Sequence, residues 1–277
     1  LKPSQALESR YLAYALESPA IQTYFSENAK GTAQKGIYLG ALSIVEVPLA
    51  PRREQKAIAD KLDLLLARVD ACRQRLDRVP AILKRFRQSV LAAATSGELT
   101  REWRAERSIK LSSWRETTFE EICTDITVGF VGKMADQYRP HGVPFLRSQN
   151  VRPFRFDANE IKYISPEFHR SIQKSTLHPG DVVVVRTGAP GQCCVIPAEL
   201  EEANCSDLVI VRPSNELHAA FAVVFINSET SQSFVKAEQV GVAQAHFNVG
   251  SMKRAPIHLP SLAEQVEIAR RVDDIFS

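Results

Sequence analysis

Apolar residues between Arg52 and about Thr95 recur at alternating spacings of four and three positions, without a miss. This is the period of about 3.5 residues that a helix shows when it packs along its length against another helix. At about 1.5 Å per residue, such a helix is on the order of 65 Å long, which is the length of a spacer. The apolar row, named the seam below, consists of Ile58, Leu62, Leu65, Val69, Cys72, Leu76, Val79, Leu83, Phe86, Val90 and Ala93.

Two residues interrupt or end the predicted helix. Pro80 removes one backbone hydrogen bond, so we expect a kink or break there, with two helical segments in near-continuation. Gly97 is expected to close the helix as a C-terminal cap. Residues 98–113 then form a polar connector.

Beyond Trp114 the apolar pattern becomes that of strands and turns. Residues 181–186 predict a fully buried strand, because four valines in a row lie between glycine and proline turns. Residues 208–212 predict a second strand, and shorter strands are expected around Phe145 and Ile161. The predicted fold class is α+β, with a twisted, mostly antiparallel sheet and helices, joined to the long coiled-coil helix.

An internal repeat at an offset of 210 residues pairs Tyr11–Leu66 with Phe221–Phe276. Of the 56 aligned pairs, 12 are identical, and they include two glycines, a Gly-x-Ala-Gln sequence and the start of a helix. We interpret this as a duplicated unit, of which the first copy is incomplete in this chain. In that copy we expect helices at residues 4–18 and 19–28 and a short strand at Ile44–Leu49.

Charge is distributed unevenly, although the net charge of +3 is too small to identify a partner. Residues 52–91 carry eleven Lys or Arg against five Asp or Glu, and residues 133–186 carry nine against five. Residues 187–240 carry two against seven. The two basic segments are consistent either with ordinary solvated surface or with a nucleic-acid partner.

Several classes of protein find no support in the motifs. The five cysteines include no C-x-x-C pair, so we expect free buried thiols and no metal site. Neither a phosphate-binding loop nor the motifs of a methyltransferase are present, and no cofactor is expected. No apolar run approaches the roughly 20 residues that cross a bilayer, and no signal-peptide pattern is seen, which predicts a cytoplasmic protein.

One group of side chains does indicate nucleic-acid binding. The segment Arg147–Arg152 follows the strand-like Pro144–Leu146 and combines arginine, which reads guanine, with glutamine and asparagine, which read adenine. Other candidates lie on loops that flank strands. Each residue alone is equally consistent with a plain surface role and with DNA contact, and the case for DNA contact rests on their grouping in a protein that repeats the domain. The candidate DNA-binding residues are Lys133, Arg147, Ser148, Gln149, Asn150, Arg152, Arg155, Arg186, Thr187, Gln244 and His246.

Two alternative functions stay open at this point. Asp157 and Glu160 with Lys162 could hold Mg²⁺ beside a lysine, as in a nuclease. Alternatively, the chain could be a coiled-coil adaptor that binds only protein, in which case the basic segments would be solvated faces.

Several motifs together resemble a known family. They are Pro144-Phe145-Leu146-Arg147, Gly180-Asp181-Val182-Val183-Val184, Arg186-Thr187-Gly188-Ala189-x-Gly191, Leu259 to Gln265 with its copy Pro51 to Gln55, Phe86 to Leu91, and Gly97-Glu98-Leu99-Thr100. In this series, and in its duplicated plan, the chain resembles the specificity subunit of Type I restriction-modification enzymes over nearly its whole length.

The resemblance implies a DNA-recognition protein without catalytic activity of its own. Two target-recognition domains would each read one half of a bipartite double-stranded DNA site, held apart by two long antiparallel helices. The helices would dock modification subunits, which bind S-adenosylmethionine, and a restriction subunit would join the complex for ATP-driven cleavage. Whether the seam pairs within the chain or with another copy stays open.

The resemblance also implies a domain plan. The expected segments are the C-terminal part of a first recognition domain (1–51), a coiled-coil helix (52–97), a connector (98–113), a second recognition domain (114–260) and the start of a second helix (261–277).

Overall fold

The computed structural model describes residues 5–29, 31, 36–237 and 247–277. Its helices are α1 (Ser9–Leu16), α2 (Pro19–Asn28), α3 (Leu39–Ser43), α4 (Arg52–Thr95), α5 (Arg101–Glu106), α6 (Phe119–Ile122), α7 (Pro166–Ser171), α8 (Ala219–Ile226), α9 (Glu229–Ala237), α10 (Val249–Arg254) and α11 (Leu262–Phe276). Single 3₁₀ turns lie at Glu98–Thr100, Leu111–Ser113, Ala135–Gln137, Ser148–Asn150 and Gln173–Ser175.

The strands are short and all follow the long helix. They are β1 (Arg115–Thr118), β2 (Cys123–Val128), β3 (Tyr138–Arg139), β4 (Val143–Leu146), β5 (Val151–Arg152), β6 (Arg155–Phe156), β7 (Lys162–Ile164), β8 (Thr176–Leu177), β9 (Val182–Val185), β10 (Cys193–Val195), β11 (Ala203–Cys205), β12 (Leu208–Pro213) and β13 (Pro256–Leu259). The chain divides into two compact units, Leu1–Ile82 and Leu83–Ser277, and the division falls within α4.

The first unit contains α1, α2, α3 and the first part of α4. Tyr11 of α1, Ile21 of α2 and Ala59 of α4 are its buried apolar residues among those described. Near the start of α4, the buried amide of Gln55 accepts a hydrogen bond from the backbone N–H of Glu8 (2.8 Å) and donates to the Ala50 carbonyl (2.7 Å). These bonds hold α1 against the beginning of the long helix.

The second unit is built on two larger sheets. One has the order β10-β9-β12-β2 and is antiparallel throughout, while the other has the order β3-β7-β4-β11-β8 with one parallel pair, β4 and β11. Two-stranded ladders join β1 to β13 and β5 to β6. This arrangement confirms the predicted α+β class with a mostly antiparallel sheet.

The valine run of β9 is buried on both faces of its sheet. Val182 and Val184 face a core made with α6, α8, α10, α11 and the end of α4, whereas Val183 and Val185 face the second sheet. Successive side chains of a strand point to opposite faces, so a strand between two apolar layers has no polar position. This explains the continuous apolar run in the sequence.

The repeat predicted from the sequence is present as matching structure. At the offset of 210 residues, α1 corresponds to α8, and α3 and α4 begin at the positions equivalent to the starts of α10 and α11. Gln265 repeats the bonds of Gln55, since its amide accepts from the backbone N–H of His218 (2.7 Å) and donates to the Pro260 carbonyl (2.9 Å). The duplicated unit therefore shares hydrogen bonds as well as sequence.

The structure corrects several expectations for individual segments. Residues 44–49 form no strand, whereas the equivalent residues of the second copy pair with β1 and are therefore assigned as β13. The long helix is present as predicted and continues through Pro80 without interruption. Cys72 is exposed rather than buried, because the part of α4 that carries it is exposed to solvent.

Within the described ranges, no helix is both long and apolar enough to cross a membrane.

Candidate nucleic-acid interface

Loops from both large sheets of the second unit meet at Ser206 and Asp207. These two residues join β11 of one sheet to β12 of the other. The backbone N–H of Ser206 donates to the Leu146 carbonyl at the end of β4 (3.1 Å), and Phe130, after β2, forms a parallel bridge with Ser206. We name this surface the loop edge and define it by Gly129–Lys133, Arg147–Gln149, Arg186–Thr187 and Ser206–Asp207.

Arg186 and Thr187 follow the buried strand β9 and are held by Asp207. The Thr187 hydroxyl donates to one Asp207 carboxylate oxygen, and the guanidinium of Arg186 lies 3.8 Å from the other. Asp207 has a positive φ of 56°, which is uncommon for a residue other than glycine and which aspartate tolerates better than most. Nothing in the local sequence around Asp207 indicates that it faces Thr187 and Arg186, which lie 20 and 21 positions earlier in the chain.

Arg147 lies where β4 ends and is partly anchored by the protein. Its Nη2 donates to the Glu160 carbonyl (2.8 Å), and its guanidinium carbon lies 5.9 Å from the centre of the Tyr138 ring. Its Nε is buried and has no hydrogen-bond partner. A buried donor without an acceptor is unfavourable. The bond from Nη2 and the neighbouring Tyr138 ring orient the guanidinium, and the described residues provide no other hydrogen bond to it.

The 3₁₀ turn after Arg147 contains two predicted base-reading residues, Gln149 and Asn150, whose surroundings differ. Gln149 is exposed, and its Nε2 donates to the Glu160 carboxylate (3.2 Å). Asn150 is fully buried, and its Oδ1 accepts from the backbone N–H of Arg147 (3.0 Å). Its Nδ2 donates to the carbonyls of Asp157 and Asn159. The Asn150 amide therefore stabilises the turn and has no group left for a base, while Ser148 is half-buried beside it.

Arg152 and Arg155 form a separate basic group. They face each other across the β5–β6 ladder, and both are exposed. The turn between them carries Phe154, whose ring packs edge-on against Phe276 of α11 with ring centres 5.4 Å apart. This turn therefore lies against the C-terminal helix, and the structure does not place the two arginines with Arg186 at the loop edge.

The carboxylate of Asp157 compensates part of this positive charge. Its pKa is lowered by a hydrogen bond from the backbone N–H of Asn159 (3.1 Å) and further by Arg152, whose Nε lies 3.4 Å away. The Glu160 carboxylate instead accepts a hydrogen bond from the Gln149 amide. Within the described residues, no three His, Cys, Asp or Glu side chains form a group that could hold a metal ion.

Lys133 is exposed in the loop after β2. Gly129 lets this loop approach β11 closely, since an added Cβ would lie 2.9 Å from the Cys205 carbonyl oxygen. Gln244 and His246 lie outside the described residues. Phe247 follows them. Its backbone N–H donates to the Arg186 carbonyl (3.4 Å), and its own carbonyl accepts from Arg186 Nε (3.2 Å).

In the second unit, the seam is buried only near its C-terminal end, at Val90. Val90, Leu91 and Ala94 are buried in the same apolar core as Ile268 and Val272 of α11. The two helices run antiparallel there, since Phe276 at the end of α11 lies against Arg87 of α4, with 5.6 Å between the ring centre and the guanidinium carbon, while Glu264 at the start of α11 pairs with Arg104, which follows Gly97. The exposed seam residues are Leu65, Val69, Cys72, Leu76, Val79, Leu83 and Phe86, and Ile58 and Leu62 are half-buried.

Solved structures with the same arrangement of elements define the class of the fold. The HsdS subunit from Thermoanaerobacter tengcongensis matches with a TM-score of 0.59 and 20% identity, over 98% of this chain and 63% of that chain. A chain from a structure of the type I R-M system matches with a TM-score of 0.71 and 19% identity, over 98% of this chain and 64% of that one. The fold is therefore that of restriction-modification specificity subunits.

The family follows from the sequence comparison. Residues 1–81 and 129–277 match the family described as Type I restriction modification DNA specificity domain, and the chain belongs to that family. The EcoKI specificity subunit of Escherichia coli K12 is 28% identical over 284 residues, and the StySPI specificity subunit of Salmonella potsdam is 30% identical over 287 residues. The chain is matched over its full length and spans 60% of each of these relatives. The predicted family is confirmed.

Proposed function

We propose that this chain is the DNA-recognising part of a Type I restriction-modification complex and that it reads one half of a bipartite site through the loop edge. The observation that carries the proposal is the meeting of four segments, far apart in sequence, at Ser206 and Asp207. Three of them bring the predicted residues Lys133, Arg147 and Arg186. Loops that vary on a rigid sheet scaffold are the usual place for recognition residues.

The residues of the loop edge suit different contacts. Gln149 is exposed, and Arg147 is oriented by Tyr138 and Glu160, so we assign these two side chains to base edges. Lys133 and Arg186, with the Thr187 hydroxyl, are assigned to phosphates, which need charge and donors without base selectivity. Ser148, which stands between Arg147 and Gln149 in the sequence, is assigned to a phosphate.

The remaining predicted residues take supporting or peripheral positions in the proposal. Asn150 orients Arg147 by binding its backbone N–H, and does not contact a base. Arg152 and Arg155 are assigned to phosphates outside the loop edge, where their charges would be compensated by DNA in addition to Asp157. Gln244 and His246 stay in the proposed set as predicted from the sequence.

Assembly through the long helix is the second part of the proposal. The exposed seam residues of α4 would bind modification subunits, and a restriction subunit would join through that complex. Self-association through the seam is an alternative use of the same residues, since contiguous apolar positions on an exposed helix favour a helical partner. The domain plan given above is retained, with 1–51 as the C-terminal part of a first recognition domain, 114–260 as the second, 98–113 as connector, and the helix of 52–97 and the start of a second helix at 261–277 as spacers. The complex would act on DNA in the cytoplasm, and the chain itself would supply no catalytic group or cofactor.

The experiment that tests this function is selection from a pool of random duplexes by the chain together with modification subunits. The proposal expects enrichment of one short sequence that forms half of a bipartite site. A chain that retains no duplex above the level of a coiled-coil control protein would instead be an adaptor. Cleavage of duplexes by the purified chain with Mg²⁺, lost on Glu160→Ala, would show that it is a nuclease.

A further inference from the structure

Glu160 contacts both side chains that the proposed function assigns to base edges. Its main-chain carbonyl accepts from Arg147 Nη2 (2.8 Å), and its carboxylate accepts from Gln149 Nε2 (3.2 Å). The Glu160 side chain is exposed, and among the described residues the Gln149 amide is the single hydrogen-bond partner of its carboxylate. One carboxylate oxygen is therefore free beside two proposed base-reading side chains.

The turn that carries Glu160 is fixed from both sides. On one side, the buried Asn150 amide donates to the carbonyls of Asp157 (3.0 Å) and Asn159 (3.1 Å). On the other side, β7 begins two residues after Glu160 and pairs with β4, the strand that ends at Arg147. The scaffold therefore sets where the Glu160 side chain leaves the backbone.

The backbone conformation of Glu160 is uncommon for its residue type. Its φ is 53°, a left-handed value that glycine and asparagine adopt more easily than glutamate. Residues held in such conformations cluster at ligand-binding positions, where the surrounding structure maintains them. Backbone geometry thus does not account for a glutamate at this position, and its carboxylate is the group that distinguishes it.

The same carboxylate determines which way the Gln149 amide points. An amide oxygen that faced a carboxylate would place two acceptors together, so the amide NH₂ faces Glu160. No described residue donates to the Gln149 Oε1, which is an acceptor. The turn therefore presents two acceptors, one from Gln149 and one from Glu160, beside the donor groups of Arg147.

DNA offers few groups that suit a free carboxylate. Its phosphates are negatively charged and repel a carboxylate, and the base carbonyls are acceptors as the carboxylate is. In the major groove, the donors are the exocyclic amino groups of cytosine and adenine. A carboxylate at the interface without such a donor would weaken binding to every duplex.

We infer that Glu160 is a specificity-determining residue, whose carboxylate accepts a hydrogen bond from the amino group of cytosine or adenine and rejects guanine and thymine at one position of the half-site. Gln149, held by Glu160, directs its Oε1 outward as a second acceptor. The inference rests on the proposed function, because it needs the loop edge to face the DNA.

The test repeats the selection from random duplexes, by the chain with modification subunits, using Glu160→Gln. This substitution keeps the size of the side chain and an acceptor for Gln149, but the new amide has no charge and can donate as well as accept. We expect the preference for cytosine or adenine at one position to fall about ten-fold, while preferences at the other positions stay. The matched control is Glu167→Gln, at an exposed glutamate of α7 that pairs with Arg170, and it should change no preference.

A second measurement shows whether Glu160 contacts the amino group itself. In a duplex of the selected sequence, the base at that position is replaced by its analogue without the amino group, a pyrimidinone for cytosine or purine for adenine. The wild-type chain should bind the analogue duplex about ten-fold more weakly than the selected duplex. The Glu160→Ala chain should bind the two duplexes equally.

The outcomes separate this inference from the proposed function. If the wild-type chain enriches no sequence, the proposed function fails and the inference fails with it. If the wild-type chain does enrich a sequence, the function stands, and any of four results would overturn the inference alone. These results are unchanged preferences in Glu160→Gln, equal strengthening of binding to all duplexes in Glu160→Gln, guanine or thymine as the base selected at the affected position, and an equal effect of the analogue on the wild-type and Glu160→Ala chains.

Discussion

Arg104 and Glu264 form a buried ion pair across 160 residues of sequence, with 7% and 0% of their side-chain surfaces exposed. The arginine lies in α5, just after the long helix α4, and the glutamate is in the first turn of α11, so this pair ties the segment after α4 to the start of α11. The Trp114 ring lies 5.8 Å from the same guanidinium. The connector predicted as polar is therefore partly a structural element of the second unit.

Breaking this pair should destabilise the chain strongly. Glu264→Gln leaves the Arg104 charge buried without a carboxylate, and we expect the free energy of unfolding to fall by about 3–5 kcal/mol. Chemical denaturation followed by circular dichroism measures the change. The control is Glu216→Gln, which removes an exposed ion pair with Arg115 and should cost less than about 1 kcal/mol. Equal effects of the two substitutions would contradict the structural role of Arg104 and Glu264.

Arg147→Ala should relax sequence preference at one position of the half-site. The discrimination lost is about 1–3 kcal/mol, the range of a bidentate contact between arginine and guanine. The measurement is selection from random duplexes, compared with wild type and with Arg139→Ala, an exposed arginine outside the loop edge. If Arg147→Ala weakens binding to all sequences equally, Arg147 is a phosphate contact.

Arg186→Ala should instead weaken binding to every duplex and change its salt dependence. Each phosphate contact contributes about 0.9 to the slope of log affinity against log salt concentration, so the slope should fall by about that amount. Asp207→Asn tests the neighbouring carboxylate, because asparagine also tolerates the positive φ of Asp207. Removal of this negative charge should strengthen binding to all duplexes at low salt. An unchanged slope in Arg186→Ala would remove Arg186 from the proposed contacts.

Substitutions in the middle of the seam and near its C-terminal end should have different effects. Leu76 is 67% exposed, so Leu76→Asp should leave the free energy of unfolding nearly unchanged but prevent assembly with modification subunits. Val90 is 9% exposed and belongs to the apolar core of the second unit, so Val90→Ala should lower that free energy by about 2 kcal/mol. Denaturation and co-purification separate the two effects. Normal assembly of the Leu76→Asp chain would show that the seam is not the docking surface.

Chemical labelling of the cysteines tests whether the exposed seam of α4 is covered on assembly, and it needs no substitution. Burial raises the pKa of the Cys123 and Cys194 thiols to about 12, so neither supplies much thiolate at pH 8. Cys72 is exposed at a seam position and should be alkylated first by iodoacetamide. Mass spectrometry of the labelled peptides checks this order. We expect assembly to protect Cys72, and labelling that stays equally fast in the complex would argue against a covered seam.

The sequence by itself determined the elements whose signals are local. The 3.5-residue period around Leu62 to Val90 predicts α4, and the valine run predicts β9, because helix and strand periods follow from the geometry of neighbouring residues. The repeat was visible for a related reason, since Gln55 and Gln265 are identical residues that make equivalent hydrogen bonds to the backbone. The family resemblance rested on these same motifs.

Only the tertiary structure decided which side chains meet. Asn150 is as polar as Gln149, yet one is buried in a turn and the other is exposed, because the carbonyls that surround Asn150 come from residues 157 and 159. Asp207 joins the loop edge, and Glu264 finds Arg104, only when distant strands and helices pack together. Burial and ion pairing depend on these long-range contacts, whereas the sequence pattern reports chiefly on near neighbours.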